Sequence, residues 1–280
     1  MNIDLRVFIS YFFKRSLHLS FGYGFGYSFG FITVFFCPLV YADELVNVPT
    51  RNGVTSSYWW MPRDNAKANL ILISGGAGGI GYRNGTPQSA NFLIRSRDHF
   101  ATGNSNGAFN VALLGNASDL RQLDPVLRAR TEHIQDIAAV IAHIRAKSSA
   151  PIWLIGTSQG TISAVAAVIE LGDKVDGVVL SAPYTAFKTP TSVPKQAIDK
   201  IRVPVLVISH ERDSCSVTRP DENKFIIDKL KNARVKKSVM LSGGQDPTGD
   251  ECEALHWHGF VNFEAQASKA ITDWVLNPTP

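Results

Sequence analysis

The chain has 280 residues, 45% of them hydrophobic and 19% charged, with a formal net charge of +4. That is enough apolar chain for a large core. No basic patch stands out beyond the short pair Lys236-Lys237, which argues against nucleic acid as a partner.

Residues 1–42 differ from the rest. Scattered charge (Asp4, Arg6, Lys14, Arg15) gives way to an uncharged, aromatic-rich run from Leu19 to Ala42. Val40-Tyr41-Ala42 then places compact residues at the −3 and −1 positions of a cleavage site, and Asp43-Glu44 follows. This is the pattern of a secretory signal peptide, so export to the periplasm or the medium is expected. An uncleaved anchor is the competing reading, because the run reaches the roughly 20 residues that span a bilayer. Cys37 follows Phe35-Phe36 and so does not sit in a lipoprotein-type cleavage box. Residues 43–280 are expected to form one soluble α/β domain of net charge +2, with no stable membrane insertion and no internal repeats.

Along that domain, 44–49 and 54–61 read as strands joined by the turn signal Arg51-Asn52-Gly53. The continuous apolar run Asn69–Ser74 predicts a strand buried on both faces. A glycine-rich turn follows, then a helix over 91–101 and a strand over 108–114. Thr131 is placed to cap a helix carrying Ile134, Ile137, Ala138, Ile141 and Ile144 at helical spacing. Strands are expected at 151–155, 175–181, 203–209 and 235–241. Helices are expected at 159–171, 222–230 and 260–276. Strands alternating with helices imply a mostly parallel sheet covered on both faces, with antiparallel strands at one edge. Ligands of such sheets bind beyond the carboxyl ends of the strands, so the loops after Ser74, Ile155, Ser209 and Leu241 should converge.

One of those loops reads Gly156-Thr157-Ser158-Gln159-Gly160. Glycines two residues either side of Ser158 allow strand and helix to meet at a sharp turn, with Ser158 held over the strand ends. The helix N-terminus beyond it directs N–H groups toward developing negative charge. A serine hydroxyl needs a base, and the base an orienting acid. Asp213, in "HERDSC", and His258, in "LHWHGF", follow in the chain order Ser, Asp, His. Glu211 is the rival acid and His256 the rival base.

These features resemble the α/β-hydrolase family over residues 44–277. Three elements carry the resemblance: the Gly-Thr-Ser-Gln-Gly elbow, an acid after the penultimate strand, and His258-Gly259-Phe260 before the final helix. The resemblance implies a serine hydrolase with a triad of Ser158, His258 and Asp213 that acts on carboxylic esters through an acyl-enzyme. It also implies an oxyanion hole from the N–H of Gln159 and that of Gly76 or Ala77 in Ser74-Gly75-Gly76-Ala77-Gly78-Gly79. Many relatives begin this loop with His-Gly, whereas this chain has Ser-Gly, a change that keeps the backbone donor. If the triad forms, the loops bearing Cys215 and Cys252 are neighbours, and a disulfide between them is expected.

No metal and no cofactor are expected. His256-x-His258 lacks a third ligand, and the glycines match neither a dinucleotide fingerprint nor a P-loop. His133, Asp136, His210 and Asp119 are expected to be structural, and Trp59, Trp60 and Trp153 to pack in the core or at its edge. Asn84-Gly85-Thr86 and Asn116-Ala117-Ser118 match glycosylation sequons. Only about 20 residues separate the strands at 175–181 and 203–209, which leaves little room for a lid unless 81–88 or 103–107 arch over the site. An open site suits small, soluble or polymer-attached esters. A peptidase or acyltransferase on the same triad, or a non-catalytic binding domain, are the alternatives.

Overall fold

The computed structural model describes residues 42–103 and 108–280, so all of the expected signal segment but its last residue, Ala42, lies outside the described residues. An antiparallel hairpin comes first, β1 (Glu44–Arg51) and β2 (Val54–Met61). It turns at Gly53, whose φ of 70° favours a residue without a Cβ. β3 (Asn69–Ile73) is buried throughout, its apolar Leu70–Ile73 packed on both faces and the Asn69 amide donating to the Ala150 carbonyl at 2.7 Å. A small hairpin, β4 (Tyr82–Arg83) and β5 (Thr86–Pro87), precedes α1 (Phe92–Arg95) and α2 (Arg97–Thr102).

The single helix expected over 91–101 is therefore two. The chain leaves helical geometry at Ser96 (φ −92°, ψ 5°), and the Asn91 side chain caps the first piece by accepting from Leu93 N–H at 3.1 Å. β6 (Asn110–Ala117) is followed by α3 (Thr131–Lys147), whose N-cap is Arg130 rather than Thr131. Arg130 holds the extended conformation (φ −76°, ψ 150°), so Thr131 is already helical and cannot cap.

β7 (Ile152–Ser158), α4 (Gly160–Leu171), β8 (Gly177–Pro183), β9 (Val205–His210), α5 (Asn223–Lys229), β10 (Lys236–Leu241) and α6 (Glu264–Leu276) complete the fold. The last helix begins four residues later than its apolar pattern suggests. Phe260 and Asn262 have φ of 55° and 53°, left-handed values that a right-handed helix excludes.

The strand order is β1-β2-β6-β3-β7-β8-β9-β10. β2 runs antiparallel to both its neighbours, and the six strands from β6 to β10 are parallel. Alternate residues of the central strands serve two cores. Ile71, Ile73, Leu154 and Val207 pack with α3, α4 and α5 on one face. Leu70, Leu72, Ile155 and Leu206 pack with α1, α2 and α6 on the other.

Between β8 and β9 lie only two single-turn 3-10 helices, Val193–Lys195 and Ile198–Lys200. Val193, Ile198 and Ile201 are buried in the core, so this connection is fastened to the body and forms no lid. β3, β7, β8 and β9 are adjacent, and the loops at their carboxyl ends meet on one rim.

Candidate active site

Ser158 sits where β7 ends and α4 begins, with φ of 52°. A side chain held in the left-handed region costs about 1–2 kcal/mol, so the surroundings must enforce it. The glycines make the turn possible. A Cβ on Gly156 would lie 2.5 Å from the Gly160 carbonyl oxygen, and one on Gly160 would lie 2.1 Å from that of Ile73. Thr161 Oγ1 clamps the turn by donating to the Ser158 carbonyl at 2.6 Å and accepting from Tyr184 N–H at 3.0 Å. The elbow thus points Ser158 over the rim, with the positive end of the α4 dipole behind it.

Two further loops bring Asp213 and His258 together. His258 Nδ1 lies 3.0 Å from Asp213 Oδ2, and the Asp213 side chain is wholly buried. The other carboxylate oxygen accepts Cys215 N–H at 3.0 Å. Thr218, which the sequence analysis did not single out, lies between them. Its Oγ1 is 3.2 Å from Asp213 Oδ2 and 3.1 Å from His258 Nδ1. These partners fix the orientation of the Asp213 carboxylate toward His258. The rivals lie elsewhere. Glu211 is exposed beside Arg212, and the His256 ring stands edge-on to Trp257. His210 is structural. Its Nε2–H donates to the Gly243 carbonyl at 2.9 Å, its Nδ1 accepts Arg212 N–H at 3.1 Å, and its ring stacks on Trp257.

The glycine-rich loop after β3 lies against the serine. A Cβ on Gly75 would come 2.8 Å from Ser158 Cβ. Gly75 to Gly78 close a tight turn through Gly78 N–H donating to the Gly75 carbonyl at 3.0 Å. Ser74 Oγ donates to the Gly79 carbonyl at 2.9 Å, while Leu123 N–H and Asn116 Nδ2 both donate to the Ala77 carbonyl. Among the described residues the N–H groups of Gly76, Ala77 and Gln159 have no partner in the fold. All three border one cleft with Ser158 and His258. Unpaired N–H groups around a nucleophile are what an oxyanion requires.

That cleft has a volume of about 380 Å³, and a second lobe of about 290 Å³ continues past Gly76, Ala77 and Gln159 toward Gln122 and Asp124. The Cys215–Cys252 disulfide, present as expected, forms part of its wall. It ties the Asp213 loop to the segment that leads into His258. The hairpin within 81–88 does not line the cleft, whereas 104–107 lie outside the described residues.

Other candidates have structural partners. Asp136 accepts from Arg51 and Thr50, and Asp119 also pairs with Arg51. His133 is buried against Ser163, and burial pushes its pKa down to about 4. The sequon residue Asn116 uses its amide on the carbonyls of Ala77 and Arg121, and Asn84 lies in the exposed β4–β5 turn. Trp59, Trp60 and Trp153 are buried. Among the described residues no three His, Cys, Asp or Glu side chains gather to hold a metal, and no helix is long and apolar enough to cross a membrane.

Comparison with known proteins agrees with this architecture. The model of the family described as serine aminopeptidase, S33, matches residues 126–222, a segment that carries Ser158 and Asp213. No curated protein matches the chain by sequence. Among solved structures, an esterase of Pyrococcus furiosus superposes with a TM-score of 0.60 at 14% identity, covering 84% of this chain and 90% of that one. A protein of Xanthomonas campestris, described as a serine hydrolase without lid, gives 0.56 at 14% identity over 85% and 97% of the two chains. Est1E of Butyrivibrio proteoclasticus gives 0.54 at 17% identity over 83% and 98%. The chain has the α/β-hydrolase fold.

Proposed function

We propose that the protein is a serine hydrolase that cleaves carboxylic esters through an acyl-enzyme on Ser158. The observation that carries this reading is the strained Ser158 turn sharing one cleft with a His258 bonded to the buried Asp213. With its Nδ1–H donated to Asp213, His258 keeps a lone pair on Nε2. That nitrogen takes the Ser158 proton as Oγ attacks the ester carbonyl carbon. The resulting oxyanion receives N–H groups from Gln159 and from Gly76 or Ala77. The His258 imidazolium then protonates the departing alkoxide, and the acyl group stays on Oγ. Water, deprotonated by His258, hydrolyses that acyl-enzyme and releases the acid.

The open, unlidded cleft supports small, soluble or polymer-attached esters over long acyl chains. Of the similar structures, the Pyrococcus protein is described as an esterase and the Xanthomonas protein as a serine hydrolase without lid. A peptidase is the second reading, favoured by the aminopeptidase description of the matching family. The disulfide supports an exported protein that works in an oxidising compartment once residues 1–42 are removed. The test is turnover of p-nitrophenyl acetate, butyrate and decanoate beside aminoacyl p-nitroanilides, with Ser158→Ala as the control. Short esters should be turned over best. Cleavage of the anilides alone would replace the esterase with a peptidase.

A further inference from the structure

Behind the glycine-rich loop lies a buried cation that the steps above do not use. Arg128 has no exposed surface and makes no ion pair among the described residues. Its Nη1 donates to Ser163 Oγ at 3.1 Å, and its Nη2 donates to the Gly76 carbonyl at 3.0 Å. Burial pulls its pKa down to about 10, which leaves it cationic at neutral pH. The acid nearest in effect, Asp124, uses its carboxylate on the N–H groups of Val126 and Leu127. Burying a charge without a direct counter-ion is expensive, and an apolar side chain of similar length would fill the space at lower cost. Fold stability therefore gives no reason for a guanidinium here.

The anchor on its other side is set. With Arg128 donating to Ser163 Oγ, the Ser163 hydroxyl proton is free to point at His133 Nε2, 2.9 Å away. That arrangement needs a neutral His133, which its lowered pKa supplies. The fork of Arg128 is thus fixed on α4 at one tip and on the loop at the other.

We propose that Arg128 is a positioning residue for the oxyanion hole, orienting and polarising the Gly76–Ala77 peptide at the edge of the Ser158 cleft. No described peptide is cis, so the C=O and N–H of that peptide point in opposite directions. A guanidinium on the Gly76 oxygen therefore turns Ala77 N–H away from Arg128. It also fixes ψ of Gly76, and so restrains the preceding plane, which carries the Gly76 N–H. Packing does not do this. A Cβ on Gly76 would meet nothing within 4 Å, and its φ is 55°. The next carbonyl, Ala77, is held by the neutral donors Asn116 and Leu123. Of these two carbonyls, that of Gly76 is the one held by a charge. A cationic donor on a carbonyl strengthens the N–H of the same peptide, and its own charge favours an anion beside that peptide.

This proposal rests on the serine-hydrolase reading. The test uses the full chain with Arg128→Met, Arg128→Gln, Arg128→Lys and Ser158→Ala. Ester kcat and KM are measured beside the affinity for a trifluoromethyl ketone, which forms an anionic tetrahedral adduct with an activated serine. Arg128→Met should lower kcat by about 10- to 100-fold, less than or equal to the loss of a direct donor. KM should stay within about threefold, and ketone affinity should fall with kcat. Arg128→Lys should lose less than Arg128→Met, because it keeps the charge. If Arg128→Met does not fold, Arg128→Gln, which keeps a donor and lacks the charge, carries the same expected split. Wild-type kcat in a folded neutral variant, or ketone affinity and KM weakened alike, would overturn the role of Arg128 alone. A wild-type chain that turns over no ester and forms no adduct, or adduct formation retained in Ser158→Ala, would overturn the hydrolase reading and this proposal with it.

Discussion

Replacing both cysteines of the Cys215–Cys252 bridge by alanine should destabilise the protein strongly and slow catalysis mildly. The bond closes a loop across a sequence separation of 37 residues. In the chain-entropy picture a closure of that size removes about 4 kcal/mol of conformational freedom from the unfolded chain. For a domain of this size each kcal/mol moves Tm by roughly 2–4 °C, so the double variant should melt roughly 8–16 °C lower. The same bond holds the loop in which Cys215 N–H donates to Asp213 Oδ1. Slack there should lower kcat by up to about tenfold through misplacement of His258, with the fold retained. The assay is calorimetry of the oxidised protein, the reduced protein and the Cys215→Ala/Cys252→Ala variant, with ester turnover on each. A double variant melting within about 2 °C of the oxidised wild type would refute the reasoning.

Two further outcomes are expected. His133 has its folded pKa pushed below the ordinary 6.5 to about 4 by burial, so between those values the unfolded chain binds the extra proton and the native chain does not. Stability from this group is complete above pH 6.5 and falls as the pH drops toward 4, by at most about 1.4 kcal/mol per pH unit. Urea midpoints at pH 7, 5.5 and 4.5 should therefore decline less in His133→Gln than in wild type, and equal declines would contradict the assignment. The two lobes of the cleft are bordered by Glu253 and Asp124 and by no Lys or Arg among the described residues. A cationic aminoalkyl ester should thus show a KM about three- to tenfold below that of a matched anionic succinate ester, a gap that 0.5 M salt and Glu253→Gln should both narrow.

Much of the fold was legible because its signals are local. The central strands are continuous apolar runs, and the glycines around Ser158 announce a turn that other residues would obstruct. The chain order of Ser158, Asp213 and His258 places each after a readable strand, and the structure brings Asp213 to His258 and leaves His256 and Glu211 apart. What was not legible depends on distant partners. Arg128 sits in "DPVLRARTEH" like any surface arginine, and its importance comes from Gly76 and Ser163, which lie 52 and 35 residues away. Thr218 likewise acquires its role only when the His258 loop, 40 residues on, folds against it. The late start of α6 reflects left-handed Phe260 and Asn262, a backbone choice that no apolar spacing reports.

The central claim is an activated serine at position 158, and covalent labelling tests it most directly. The purified chain would be treated with a fluorophosphonate probe beside Ser158→Ala, His258→Ala and His256→Ala, and the modified residue located by mass spectrometry. The account predicts a single adduct on Ser158, lost in the Ser158 and His258 variants and kept in His256→Ala. A folded wild-type protein that takes no label, or one that takes it on another serine, would contradict the account and favour a binding domain built on the same fold.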